Sequence, residues 1–217
     1  MAGCCNSRGC DEMFDDRFAR KSAVHYRKRG LSPAATRMVD VLTQRGIDGA
    51  SVLEIGGGLG EISLELLKRG AAHSTTVELS PAYDAQARQL IADAGLTGRA
   101  ERRIADIATD PGAVEPADVV VMHRVVCCYP DYVALLGAAA DHARQHLAFT
   151  HPPRNLGSRA VVGLENASSR LRHREFRAFV HPPAAMRAVL VEHGLAATSV
   201  RRRGVWQVVA ASRDAAS

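Results

Sequence analysis

At 217 residues, 47% of them hydrophobic, the chain can bury one well-packed core and is too short for two ordinary domains. Its net charge of +5 argues only weakly for an anionic partner, because a solvated basic surface gives the same balance. No apolar run approaches the roughly 20 residues that cross a bilayer, no signal-peptide core opens the chain, and five cysteines, an odd number, suit reduced thiols rather than a disulfide scaffold, so a cytoplasmic location is expected.

The first dozen residues are polar and hold Cys4, Cys5 and Cys10. A helix follows, with Phe14, Phe18, Ala19, Ala23, Val24 and Tyr26 as its apolar face and Arg17, Arg20, Lys21, Arg27, Lys28 and Arg29 opposite, stopping at Gly30. Ser32-Pro33 starts a second helix whose apolar side is Met38, Val39, Val41 and Leu42. Residues 1–48 thus read as a cysteine-rich segment and helices packed on the core. From residue 49 on, strands and helices alternate: strands at Ser51–Ile55, His73–Glu78, 100–105, 118–122 and 146–150, with a helix opening at Pro81 and stopping at Gly95. Residues 154–179 carry Leu156, Val161, Val162, Leu164, Leu171 and Phe176 in a loosely helical pattern with arginines between, which reads as a cap inserted in the domain. His181-Pro182-Pro183 starts a last helix, and the tail reads as a hairpin turning at Arg203-Gly204. This order predicts an α/β fold: a seven-stranded, mostly parallel sheet with helices on both faces and a closing antiparallel hairpin.

The most informative stretch is SVLEIGGGLG, Ser51 to Gly60, followed by the apolar-periodic EISLELLKRGA. A ligand lying across the carboxyl end of a parallel strand needs backbone to approach without Cβ atoms in the way, which glycine supplies. The dinucleotide spacing GxGxxG cannot be threaded here, since from Gly56 it ends on Glu61 and from Gly58 on Ser63. The pattern that fits is ExGxGxG, Glu54 to Gly60, and it resembles motif I of the class I S-adenosylmethionine-dependent methyltransferases. The resemblance implies a Rossmann-like fold, S-adenosyl-L-methionine as cofactor and S-adenosyl-L-homocysteine as product. It implies that Gly56, Gly57, Gly58 and Gly60 pass beneath the methionine part and that Glu54 orients its amino group. Glu78, ending the second strand, would accept from both ribose hydroxyls with Leu79 beside it. Asp106 would accept from the adenine amino group, with Ile107 against the ring.

In this fold the methyl group points to the ends of the fourth and fifth strands, where the chain reads HRVVCCYPDY and THPPRN. His123 and His151 are the candidate bases, Arg124 and Arg154 the candidate grips for an acidic acceptor, and Tyr129 the candidate pocket hydroxyl. Tyr129-Pro130 after the fourth strand, Phe149, Thr150 and Pro152 at the fifth and the helical insertion also resemble, in part, the magnesium-protoporphyrin IX O-methyltransferases, which methylate a propionate carboxylate. The expectation is methyl transfer to an acidic or hydroxyl-bearing small metabolite by a monomer or homodimer. One alternative uses the cysteines: Cys127 and Cys128 converging with Cys4, Cys5 and Cys10 would hold a soft metal such as zinc or copper(I), or take a thiol or metalloid substrate. The other is RNA methylation, favoured by the basic helices, but the chain lacks the Asn/Asp-Pro-Pro-aromatic motif of base-amine enzymes and its aromatics are only 5% of residues, so a nucleic-acid acceptor is not expected.

Overall fold

The structure, a computed structural model, describes Gly9, residues 12–203 and residues 205–213. Two helices, α1 (Asp16–Arg29) and α2 (Pro33–Thr43), precede β1 (Ser51–Ile55), α3 (Glu61–Lys68), β2 (His73–Glu78), α4 (Asp84–Asp93), β3 (Ala100–Ile104) and β4 (Ala117–Met122). Then come α5 (Tyr132–His142), β5 (Ala143–His151), α6 (Leu156–Leu171), α7 (Pro183–Glu192), β6 (Ala196–Arg203) and β7 (Trp206–Ser212). The seven strands order as β3-β2-β1-β4-β5-β7-β6, with β7 antiparallel to both β5 and β6 and the other pairs parallel. The strand order reverses between β1 and β4, and a crevice outside their carboxyl ends is where such sheets bind ligands.

Alternating side chains divide the core into two layers. Leu53, Ile55, Val120, Met122, Leu147 and Phe149 face α5 and α7 and pack with Leu135, Leu136, Met186 and Leu190. Val52, Val119, Val121, Ala148 and Val208 face the other way, onto Met38, Leu42, Ile62 and Leu66 of α2 and α3. Each fully buried leucine, isoleucine or phenylalanine contributes roughly 1.5–3 kcal/mol. On α1 the buried positions are Ala19 and Ala23, whereas Phe18 is 43% and Val24 50% exposed. The periodicity had put all four on one packed face; the small residues allow the helix close approach, and the aromatic turns elsewhere. The fifth strand runs longer than expected, from Ala143 through His151, because β7 continues its ladder to the His151–Gln207 pair.

The corner between β1 and α3 turns through Gly56, Gly58 and Gly60, all left-handed at φ 60°, 52° and 77°. Gly57 is glycine for another reason: a Cβ there would lie 2.6 Å from Thr76 Cγ2 and 2.7 Å from Glu54 Cγ. Neither neighbour is a flexible chain end, so the clash moves the turn. Gly57→Ala is expected to destabilise the fold by roughly 1–3 kcal/mol, read as a lower urea midpoint; an unchanged midpoint would show that the corner has room to spare.

Candidate functional site

A cavity of about 850 Å³ opens at the carboxyl ends of β1, β2 and β4, and it is lined by Glu54, Gly56, Gly57, Gly58, Glu78, Leu79, Asp106 and Ile107 on one side and by His123, Arg124, Cys127, Cys128 and Tyr129 on the other. The corner is held from below. Gly60 caps α3 without a side chain, so Glu54 at the end of β1 supplies the missing acceptor: its Oε2 takes the Ser63 N–H at 2.8 Å. Burial, together with the neighbouring Glu61, pushes the Glu54 carboxyl up to about 7, against the opposing pull of its Ser63 hydrogen bonds. Gly60 does not line the cavity; its backbone geometry serves the turn.

Glu78 closes the corner from β2. Its Oε2 accepts the Gly58 N–H at 2.7 Å and its Oε1 the Leu79 and Ser80 N–H groups at 2.7 and 3.2 Å. Arg102, its side chain 6% exposed, donates Nη2 to the Gly58 carbonyl at 2.8 Å and pairs with Asp84 at 3.2 Å, pinning the same turn from β3. Asp106 accepts the Ala108 N–H on Oδ1 and the Tyr129 hydroxyl on Oδ2, at 3.1 and 2.9 Å. Tyr129 therefore spans the cavity to the Asp106 side, where its hydroxyl is committed to a carboxylate.

Beyond β4, His123 meets Thr150 Oγ1 through Nδ1 at 3.1 Å and Ser32 Oγ through Nε2 at 3.2 Å. Burial, reinforced by the adjacent Arg124 cation, lowers its pKa to about 4, so the ring is neutral at pH 7. Arg124 is a non-glycine residue at φ 62°. Thr150 Oγ1 accepts its backbone N–H at 2.9 Å, and its guanidinium lies 5.1 Å from the Trp206 ring centre. The structure does not bring His151 to this group: it is 3% exposed, outside the cavity wall, and donates from Nδ1 to the Pro152 carbonyl at 2.8 Å. Arg154 is exposed. Of the cysteines, Cys127 and Cys128 stand in the wall, and Cys4, Cys5 and Cys10 lie outside the described residues.

Sequence reasoning missed most of the apolar half of the cavity, of whose rings it had placed Phe176 alone there, as part of the cap. Phe14, Phe18 and Tyr26 from α1 and its approach, Tyr83, Phe176 and Trp206 all line it, with Phe14 stacked edge-on against both Phe18 and Phe176 at 5.5 and 5.6 Å. The one signal was the Phe14–Phe18 spacing, which periodicity assigned to the core. Val161, Val162 and Glu165 of α6 also line the cavity, whereas Leu156, Leu164 and Leu171 of the same segment are exposed.

Residues 52–146 match the model of a family described as a methyltransferase domain. No curated protein matches the chain in sequence. Among solved structures, the magnesium protoporphyrin IX methyltransferase of Synechocystis, with S-adenosylhomocysteine bound, is 18% identical with a TM-score of 0.67, the match covering 94% of this chain and all of that one. An O-methyltransferase family protein of Burkholderia thailandensis is 21% identical with a TM-score of 0.70, covering 95% of this chain and 64% of its own. An O-methyltransferase family 2 protein of Planctomyces limnophilus, in complex with apigenin, is 19% identical with a TM-score of 0.66, covering 92% and 62%. These likenesses are of fold.

The buried Glu54 makes a stability prediction. Its folded pKa lies above its unfolded value, so the folded state binds the extra proton and the stability that this provides is complete below about pH 4.5 and lost as pH rises to about 7. His123 has the opposite sign, its contribution present above about pH 6.5 and lost as pH falls towards 4. The two nearly cancel in the native chain. Glu54→Gln removes only the first, so its stability relative to the parent should rise by on the order of 2 kcal/mol between pH 5 and pH 7.5, measured by urea unfolding at both; a pH-independent difference would mean that Glu54 is ionised throughout.

Proposed function

We propose that the chain is an S-adenosylmethionine-dependent methyltransferase, its family-matching segment spanning residues 52–146, and that it transfers the methyl group to a carboxylate oxygen of a small, largely apolar acid. The observation that carries this reading is the division of one cavity about β1: acids and side-chain-free backbone on the β2–β3 side, and a neutral imidazole, a cation and aromatic rings on the β4–β5 side. Each part of the cofactor has a partner there. Glu78 accepts three N–H groups with a carboxylate that offers about four lone-pair sites, which leaves capacity for a ribose hydroxyl. Asp106, oriented by Tyr129, suits the adenine amine, and Ile107 the ring. The glycine turn suits the methionine part, which needs close backbone.

On the acceptor side the chemistry is decided by what His123 cannot do. Methyl transfer is an in-line displacement in which the acceptor oxygen forms a bond to carbon as the carbon–sulfur bond breaks and the sulfonium leaves as a neutral thioether. An alcohol must lose a proton on the way, and an imidazole with a pKa near 4, engaged by hydroxyls at both nitrogens, is a weak base for it. A carboxylate is already ionised. The protein then has only to position it, which Arg124 does by charge and the Trp206 and Phe176 rings do by excluding water from an apolar body.

The deciding experiment incubates the protein with methyl-labelled S-adenosylmethionine and cell extract, then separates small molecules, RNA and protein. Label in a solvent-extractable fraction that mild base releases as methanol is the expected result, since esters hydrolyse and ethers do not; label in RNA would overturn the reading. Two further outcomes follow. Glu78→Ala should weaken cofactor binding by roughly 1–3 kcal/mol and Tyr129→Phe by about 1 kcal/mol, both by calorimetry, and unchanged affinities would remove those assignments. With the acid acceptor in hand, kcat should be flat from pH 6 to pH 8.5; a limb titrating near 6.5 would restore a histidine base.

A further inference from the structure

Cys127 and Cys128 are consecutive residues of a short helical turn at the mouth of β4, and both line the cavity. Consecutive side chains usually diverge, yet here the two sulfurs stand 3.6 Å apart and both thiols point at the Arg124 carbonyl, each at 3.5 Å. That separation is far beyond the roughly 2.05 Å of a disulfide, so the pair is two thiols within hydrogen-bonding reach of each other. The turn is braced: Cys128 N–H donates to Val125 at 2.8 Å, and the Cys127 carbonyl accepts Phe179 N–H at 2.7 Å, tying the pair to the segment after α6.

We propose that Cys127 and Cys128 form a preorganised vicinal dithiol that captures trivalent, singly substituted arsenicals in the wall of the acceptor cavity. The sulfur spacing suits this class: two thiols held 3.6 Å apart can close on one atom, and a trivalent arsenical that carries its own organic substituent takes two thiolates. The reaction balances without an oxidant: the arsenic–oxygen double bond of R–As=O breaks, two arsenic–sulfur bonds form, and both thiol protons leave with the oxygen as one water. Cys128 also prepares its neighbour, since the hydrogen bond between the thiols, helped by the Arg124 cation, holds the Cys127 thiol below its ordinary value. The arsenical's substituent would then occupy the apolar space between Phe176 and Trp206 that an acceptor needs.

The test uses phenylarsine oxide on the full chain carrying Cys4→Ser, Cys5→Ser and Cys10→Ser, so that the adjacent Cys4-Cys5 pair does not report. One equivalent should remove both remaining thiols from titration, add one phenylarsenic to the intact mass, and be released by an added dithiol but not by the same concentration of a monothiol. Further change of Cys127 or of Cys128 to Ser should weaken capture about 100-fold or more, because the second bond becomes bimolecular. The unsubstituted chain provides a check that needs no variant: peptide mapping should show Cys127 and Cys128 protected together from alkylation. Two titratable thiols persisting at one equivalent, or protection of only one of the pair, would overturn the proposal. These readouts are masses and thiol counts, so they stand or fall apart from methyl transfer.

Discussion

One buried carboxyl, that of Glu54, fixes the geometry on which the site depends. It sits at the end of β1 with 2% of its surface exposed and takes the Ser63 N–H that Gly60 has no side chain to cap. That bond sets the direction in which α3 leaves the sheet. Its methylene and carboxyl carbons also fill the space above which Gly57 passes, which is why the turn can carry no side chain there. With the turn so placed, the Gly58 N–H aims at Glu78, and the Gly58 carbonyl at Arg102. Three strands are thereby joined through one backbone corner, and a mobile loop becomes a fixed surface against which a nucleoside can be held. In this structure Glu54 serves as an internal cap, and it bears on the ligand through the corner it shapes.

The two sides of the cavity use opposite electrostatic devices. On the β2–β3 side, carboxylates are spread over backbone N–H groups and a tyrosine hydroxyl, which fixes their direction. On the β4–β5 side, charge is concentrated in a single guanidinium stacked on an indole, and the neighbouring imidazole is kept neutral by burial and by that same cation. In the proposed reaction a sulfonium between them would face acid behind and a cation ahead, so that an anionic acceptor would pass to neutral ester while the cofactor passed to neutral thioether. The charge neutralisation of that reaction would match a cavity whose walls are largely apolar.

The sheet, its order of elements and the glycine corner with Glu78 and Asp106 were legible because each is written locally: strand and helix periods, turn chemistry, and acids that end strands. What was not legible depended on register or on distant packing. His151 follows an alternating strand, and once β5 is seen to extend through it, parity puts it with Leu147 and Phe149, away from Thr150. Read as a strand ending at Thr150, the same residues leave His151 free to point anywhere. Phe14 and Phe18 fail for a different reason: periodicity says which residues avoid water, and cannot say whether they do so against a core or a ligand cavity. Tyr129 looked like an acceptor-side hydroxyl by sequence position, and only the fold brings Asp106 within 2.9 Å of it.

Arg124 shows how the fold commits to that arrangement. A left-handed backbone at a residue with a Cβ costs roughly 1–2 kcal/mol, and a chain leaving β4 towards a short helical turn has easier routes. The cost is offset by what the conformation allows. It turns the Arg124 N–H onto the Thr150 hydroxyl, leaving that same oxygen within reach of His123 Nδ1. It also directs the Arg124 carbonyl at the two cysteine thiols and the side chain onto Trp206. Backbone held in a strained region by several independent contacts is typical of functional sites, and here one residue's φ angle aligns the imidazole, the cation and the dithiol along a single wall. Thr150, with none of its surface exposed, is the contact through which β5 enforces it: loss of its hydroxyl would release Arg124 and His123 together while leaving the glycine corner, two strands away, untouched.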